Sequence, residues 1–159
     1  MNYVAGHDAA AGFGINGTLD ERLLKYSNEV LNDDDFKKCY TVDYILDAND
    51  NNTELLMVLT SHSEFFGNHI DEIKFVIKNI TLSNVMAMGA NKDSMKISCN
   101  GVDYVRFKDM DFVDAVMNNR TDKLTVYGRA NLNTFAGRTS IQVFIDDYEI
   151  VKDSNKYDF

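Results

Sequence analysis

Two groups of residues have the types and spacing to hold an anion. The first is Ala5-Gly6-His7-Asp8-Ala9-Ala10-Ala11-Gly12, small residues around one histidine. A turn built from such residues lets backbone N–H groups approach a phosphate closely. Gly6, His7, Ala10, Ala11 and Gly12 are therefore candidates for a phosphate-holding loop; the alternative is a tight turn in which His7 makes an ordinary hydrogen bond. The second group is spread between residues 104 and 138: the cations Arg106, Lys123, Arg129 and Arg138 and the rings Tyr104, Tyr127 and Phe135. Cations on strand faces and hairpins can present a basic groove to phosphates where they converge. Each member also has a structural reading: Tyr104 and Tyr127 as cover for a barrel, Arg106 as partner of a nearby Asp, and Phe135 as a hairpin plug.

Hydrolytic machinery is not visible. His7, His62 and His69 are scattered singly, and Cys39 and Cys99 lack CxxC spacing, so no metal-ligand pattern forms. Net charge is −9, which argues against nucleic acid until its distribution is considered. Residues 1–70 hold 4 Lys/Arg against 12 Asp/Glu, a net of −8, whereas residues 71–151 hold 10 against 11, a net of −1. The acidity lies outside the segment that carries the cations and rings. The composition, 45% apolar and 26% charged, is that of a globular chain of one medium or two small domains. No apolar run approaches the roughly 18 residues of a membrane span and Met1-Asn2-Tyr3 begins no signal peptide, so a cytoplasmic setting without a membrane partner is expected. The chain has no proline, for which there is no physical account.

The elements that must position these residues follow from periodicity. Ile73, Phe75 and Ile77 alternate with Lys74 and Lys78, a half-buried strand, and Leu82 to Met88 extends it. Gly89 to Asp93 turns the chain. Met95/Ile97/Cys99 alternate with Lys96/Ser98, Asn100-Gly101 is a two-residue hairpin turn, and Val102–Phe107 returns. Phe112, Val113, Val116 and Met117 then fall at helical spacing behind Asp109 or Asp111 as N-cap. Period two resumes at Lys123–Leu132, turns at Asn133 to Gly137, and continues through Ile141, Val143 and Ile145 until the parity slips to Tyr148 and Ile150, predicting a bulge near Asp146-Asp147. Three strands, a helix and two strands is the order of an OB-fold, and the same string also fits other small Greek-key barrels. Upstream, Phe13-Gly14-Ile15 reads as a short strand. Thr18 to Glu21 reads as a capping box before a helix with Leu19, Leu23, Tyr26 and Val30 inward, Asn32–Asp35 as an acidic loop, and Tyr40–Leu46 as a strand. A short helix with Leu55, Leu56 and Leu59 follows, and Phe65-Phe66 is expected to anchor the connector by burial.

Two separated stretches resemble one family. Ala5-Gly6-His7-Asp8-Ala9-Ala10-Ala11-Gly12 is similar to the Gly-Gly-His-x-x-Ala-Ala-Gly signature of the DHH-associated domain in DHH phosphoesterases. Glu64-Phe65-Phe66-Gly67-Asn68, together with the run Asn133-Thr134-Phe135-Ala136-Gly137-Arg138-Thr139-Ser140-Ile141-Gln142, resembles the C-terminal half of RecJ-type single-stranded-DNA exonucleases, where an OB-fold follows the DHH-associated domain. Ala5 departs from the first glycine of the signature, and the Asp-His-His triplet of the catalytic domain has no counterpart here.

The resemblance implies an α+β chain, the remnant of an α/β DHH-associated domain packed on a five-stranded OB-fold β-barrel. Residues 1–38 would end the DHH-associated domain, 39–70 form a connector, 71–151 the OB-fold and 152–159 a tail. It further implies the C-terminal substrate-binding part of a 5′→3′ single-stranded-DNA exonuclease, a hydrolase of DNA repair or recombination. The Gly-His loop would then lie at the phosphate end of the substrate site, and Tyr104, Arg106, Lys123, Tyr127, Arg129, Phe135 and Arg138 would grip the strand through charge and base stacking. This chain would bind no metal, because Mn2+ or Mg2+ would sit in the missing N-terminal DHH catalytic domain, and alone it would be inactive. Its partners would be single-stranded DNA, that catalytic domain and repair proteins. Two alternatives stand beside this: an OB-like protein-interaction module docking through the acidic N-terminal part, and a DHH-type cyclic-dinucleotide or nanoRNA phosphodiesterase.

Overall fold

The computed structural model describes residues 3–7, 10–14, 21–67 and 69–152. The chain divides into two compact units, Met1–Tyr40 and Thr41–Phe159. In the first, β1 (Tyr3–His7) and β2 (Ala10–Gly14) pair antiparallel, with Ala5 opposite Gly12, Gly6 opposite Ala11 and His7 opposite Ala10. Helix α1 (Glu21–Val30) follows. The expected capping box and Leu19 lie outside the described residues, as do Asp8, Ala9 and Ile15. The stripe expected to face inward is not buried, with Tyr26 and Val30 exposed. The acidic run expected as a loop winds into a 3-10 turn at Asp33–Phe36, closed by a reciprocal capping box between Asn32 and Asp35.

The second unit is built on one sheet. Its strands are β3 (Tyr44–Asp47), β4 (Phe75–Thr81), β5 (Val85–Met88), β6 (Ser94–Cys99), β7 (Val102–Arg106), β8 (Lys123–Phe135) and β9 (Arg138–Val151). They lie in the order β3-β4-β8-β9-β7-β6-β5. Leu82–Asn84 alone separates β4 from β5, yet the two stand at opposite ends of the run that begins with β4. A sheet whose ends are halves of one bent strand is closed, and Ser98 N donates to Asn84 O at 2.9 Å, carrying the β5–β6 ladder back to the bend. Counting β4 and β5 as one gives the five strands the pattern predicts, with β7 and β9 parallel. The extra strand β3 runs parallel on the outer edge of β4 and belongs to this sheet. The break at Leu82–Ser83 would leave carbonyls unpaired. Arg120 donates to both, from Nε to Leu82 O at 2.7 Å and from Nη2 to Ser83 O at 2.9 Å.

Two turns show why particular residues stand where they do. Asn100 and Gly101 both take positive φ, 46° and 80°, as the shortest hairpin demands. Asp146 is the extra residue where Tyr127 pairs with Asp147 and Gly128 with Ile145, which is the predicted bulge. At that bulge the strands crowd: a Cβ on Gly128 would lie 2.1 Å from Phe144 O.

Helix α2 (Thr53–Ser61) and helix α3 (Met110–Asn118) complete the unit. α3 is capped by Asp109, whose side chain accepts from Phe112 N, and it buries Phe112, Val113 and Val116 in the barrel core with Ile77, Met95, Tyr104, Leu124 and Val143. Leu56 of α2 is buried, Leu59 is half-buried and Leu55 is exposed. Phe65, expected to be buried, is exposed, and only Phe66 of that pair is half-buried.

Candidate nucleic-acid interface

The pleat of β8 sorts the predicted residues. Leu124, Val126 and Gly128 face the core, so Lys123, Tyr127, Arg129 and Phe135 share the opposite, outward parity. On β9, Ile141, Val143 and Ile145 face inward, so Arg138, Gln142 and Phe144 face out. The antiparallel register puts Arg129 opposite Phe144, Asn131 opposite Gln142, Asn133 opposite Ser140 and Phe135 opposite Arg138. Arg129 and Phe135 are six residues apart on one strand, so the row extends roughly 20 Å along one side of the ribbon. Phe135 is 79% exposed at the tip beside the tight Ala136-Gly137 turn. Five of the seven predicted strand-binding residues thus share one outward parity, although Lys123 begins β8 at the end far from the tip.

Tyr104 and Arg106 do not belong to that row. Tyr104 is 2% exposed and packs in the core, which also raises its phenol pKa well above the ordinary value by desolvation, so it offers no ring to a base. Arg106 has the same inward parity and closes one end of the barrel. Its guanidinium lies 5.8 Å from the Phe112 ring and 5.5 Å from the Tyr148 ring, pairs through Nε with Asp109, and donates through Nη1 to Asp146 O at 2.8 Å. Arg106 is a bracket joining α3 to the β9 bulge, which the sequence hinted at only through Asp109.

Residues the sequence reading passed over complete the surface. Phe107 is 57% exposed and its ring lies 6.1 Å from that of Phe144. These two, with Lys108, Arg129 and Asp146, line a broad groove. Phe144 had a usable signal: between Val143 and Ile145 it has the wrong parity for the core. On this side Val105 of β7 lies in register with Phe144 and with Lys96 of β6.

Electrostatics explain the near-neutral charge of the barrel. Lys74 pairs with Asp146 at 3.0 Å, Lys96 with Asp103 at 3.3 Å, Arg129 with Glu72 at 3.0 Å, and Arg106 with Asp109. Lys74 also stands 5.8 Å from the Tyr127 ring centroid. Lys108 and Arg138 make no ion pair among the described residues. The Arg129–Glu72 pair is largely exposed, with side-chain exposures of 44% and 52%, so it is weak and exchangeable.

The first group of candidates takes a different form from the loop expected. Gly6 and His7 lie in β1 and Ala10, Ala11 and Gly12 in β2, so their backbone forms a hairpin ladder and not an open cradle. For the divalent metal implied by the resemblance, the donor set does not fit: among the described residues no three His, Cys, Asp or Glu are grouped to hold an ion.

A closed barrel of this strand order, plugged by a helix and carrying cations and rings on its outer face, is an OB-fold module. Residues 42–147 match the family model of the RecJ OB domain, and the chain belongs to that family. It is 26% identical, over 98% of its length, to two proteins assigned as single-strand DNA-specific exonuclease YorK, one from the SPbeta prophage of Bacillus subtilis (strain 168) and one from Bacillus phage SPbeta. The chain spans 28% of the length of these relatives. The crystal structure of RecJ in complex with Mn2+ from Thermus thermophilus shares its fold, with a TM-score of 0.56 and 18% identity over 92% of this chain and 22% of that one.

Proposed function

We propose that this chain grips single-stranded DNA along the outer face of β7, β9 and β8, on behalf of a RecJ-like 5′→3′ exonuclease. The observation that carries the reading is the Arg129/Phe144 to Phe135/Arg138 row, continued by Phe107 and Lys108. Rings at the two ends of the row give stacking surfaces that tolerate any base, and the cation beside each, Arg129 at one end and Arg138 at the other, meets a phosphate. Among the described residues no three His, Cys, Asp or Glu are grouped as metal ligands, and the named relatives are more than three times longer. Hydrolysis is therefore assigned to a DHH catalytic part beyond these residues, loaded with Mn2+ or Mg2+, with the β1–β2 hairpin and its His7 at the phosphate end of that site. The chain by itself is expected to bind and not to cut. Fluorescence anisotropy of a labelled dT oligonucleotide tests this: binding should weaken steeply with salt, and Arg129→Ala with Arg138→Ala should weaken it and flatten the salt slope. Binding that ignores salt, or none at low salt, would refute the reading.

A second reading, a protein-docking module, draws on α2, whose outer residues Leu55, Met57 and Val58 are exposed. It would gain if oligonucleotide titrations stay flat while the separate catalytic part of a longer relative binds this chain in trans.

A further inference from the structure

The Arg129–Glu72 pair lines a cleft of about 370 Å³, which shares Arg129 and Phe144 with the Phe107 groove. Its walls are mixed: the rings of Phe66, Phe144 and buried Phe75, with Ile73, stand against the polar side chains of Ser63, Glu72, Arg129 and Asn131. Two polar groups reach it with hydrogen-bonding capacity to spare. Asn131 uses Oδ1 to accept from Leu132 N at 2.8 Å, which leaves its Nδ2 hydrogens without a partner among the described residues. The Ser63 hydroxyl likewise has none among them. Thr60, also in the wall, already donates to Leu56 O at 2.6 Å.

We propose that this cleft receives one nucleobase turned out of a bound single strand, with the adjoining phosphate taking Arg129 from Glu72. The inference deepens the strand-binding reading and rests on it. The volume is at the small end of ligand pockets, which suits a single base and excludes a stack. Aromatic walls with a few hydrogen-bonding groups are what an extruded base requires, and a single strand gives up little on unstacking it. Because Asn131 presents a donor, the preferred occupant carries a ring carbonyl, such as thymine. Exchange at Arg129 is easy because an exposed ion pair holds only weakly.

The test is anisotropy with labelled dT8 and with an eight-residue abasic strand of the same charge, on the full chain and on Asn131→Ala and Phe66→Leu. Each variant should weaken dT8 binding about three- to tenfold, the loss of one hydrogen bond or of ring contact, and leave abasic binding unchanged. Variants that bind dT8 like the parent, or that lose both strands equally, overturn the base pocket while strand binding stands. Failure of the parent chain to bind dT8 at all overturns both.

Discussion

Arg129 and Glu72, 57 residues apart in sequence, meet at 3.0 Å on the outside of the barrel; both line the 370 Å³ cleft, and Arg129 also lines the Phe107 groove. Under the proposed strand binding, an incoming phosphate would take Arg129 from this carboxylate, so that binding would be an exchange of partners and not the filling of an empty positive site.

Glu72→Gln removes the competitor and leaves the cation. Oligonucleotide affinity should rise about two- to fivefold at low salt, the worth of one exposed ion pair, and converge with the parent at high salt. Anisotropy at two ionic strengths measures it; a loss of affinity would show that Glu72 orients Arg129 productively.

Arg106 is expected to matter to stability before it matters to ligand. Arg106→Met should cost about 2–4 kcal/mol, because it strips Asp109 and the bulge carbonyls of their donor and Tyr148 and Phe112 of their cation. In a chain of this size that lowers Tm by roughly 5–15 °C, readable by calorimetry. A variant as stable as the parent would refute the bracket.

Asp109 sets an acid limit. The Phe112 N–H, and after it the Arg106 guanidinium, hold its carboxyl below the ordinary 3.8, against the opposing effect of burial. A carboxyl depressed on folding contributes stability present above its unfolded pKa and lost as pH falls through the folded one. Denaturation midpoints should thus hold from neutrality to about pH 4 and fall below it, and Asp109→Asn, which keeps a cap but no charge, should flatten that fall. Equal acid slopes in both proteins would contradict this.

Gly128→Ala tests the bulge. With Phe144 O 2.1 Å from the new Cβ, β8 and β9 must part or re-register, at a cost of at least about 3 kcal/mol. Full stability of the alanine variant, measured by urea titration, would mean the crossing is looser than described.

How much was legible in the sequence follows from what periodicity encodes. The alternation around Ile141, Val143 and Ile145 and its slip before Tyr148 gave the strands and the bulge, because a buried face leaves a period-two trace. Asn100-Gly101 gave a turn because positive φ restricts residue choice. Parity along Lys123–Leu132 also put Lys123, Tyr127, Arg129 and Asn131 on one face, whereas Phe135 and Arg138 join that side only through the β8–β9 register. Tyr104 and Arg106 were misread because their inward parity was discounted in favour of their side-chain chemistry. Phe107, at a strand end, leaves no period to read. The role of Arg120 at the break after Thr81 could not be seen, since it depends on a contact across 38 residues of chain. The Gly-rich opening suggested a cradle and forms a hairpin, because small residues suit both.

Phe107→Ala removes an exposed ring and little packing. It should weaken oligonucleotide binding by about 1–3 kcal/mol with the salt slope unchanged, the mark of stacking as opposed to charge. Tyr104→Phe should leave affinity as it is; a matching loss there would put the strand elsewhere.

The most direct test is amide chemical-shift mapping on addition of a dT oligonucleotide. Shifts should gather at Phe107, Lys108, Arg129, Asn131, Arg138 and Phe144 and fade as salt is raised. Shifts gathered on β5 or the outer side of α2, with the β8–β9 row silent, would contradict the account.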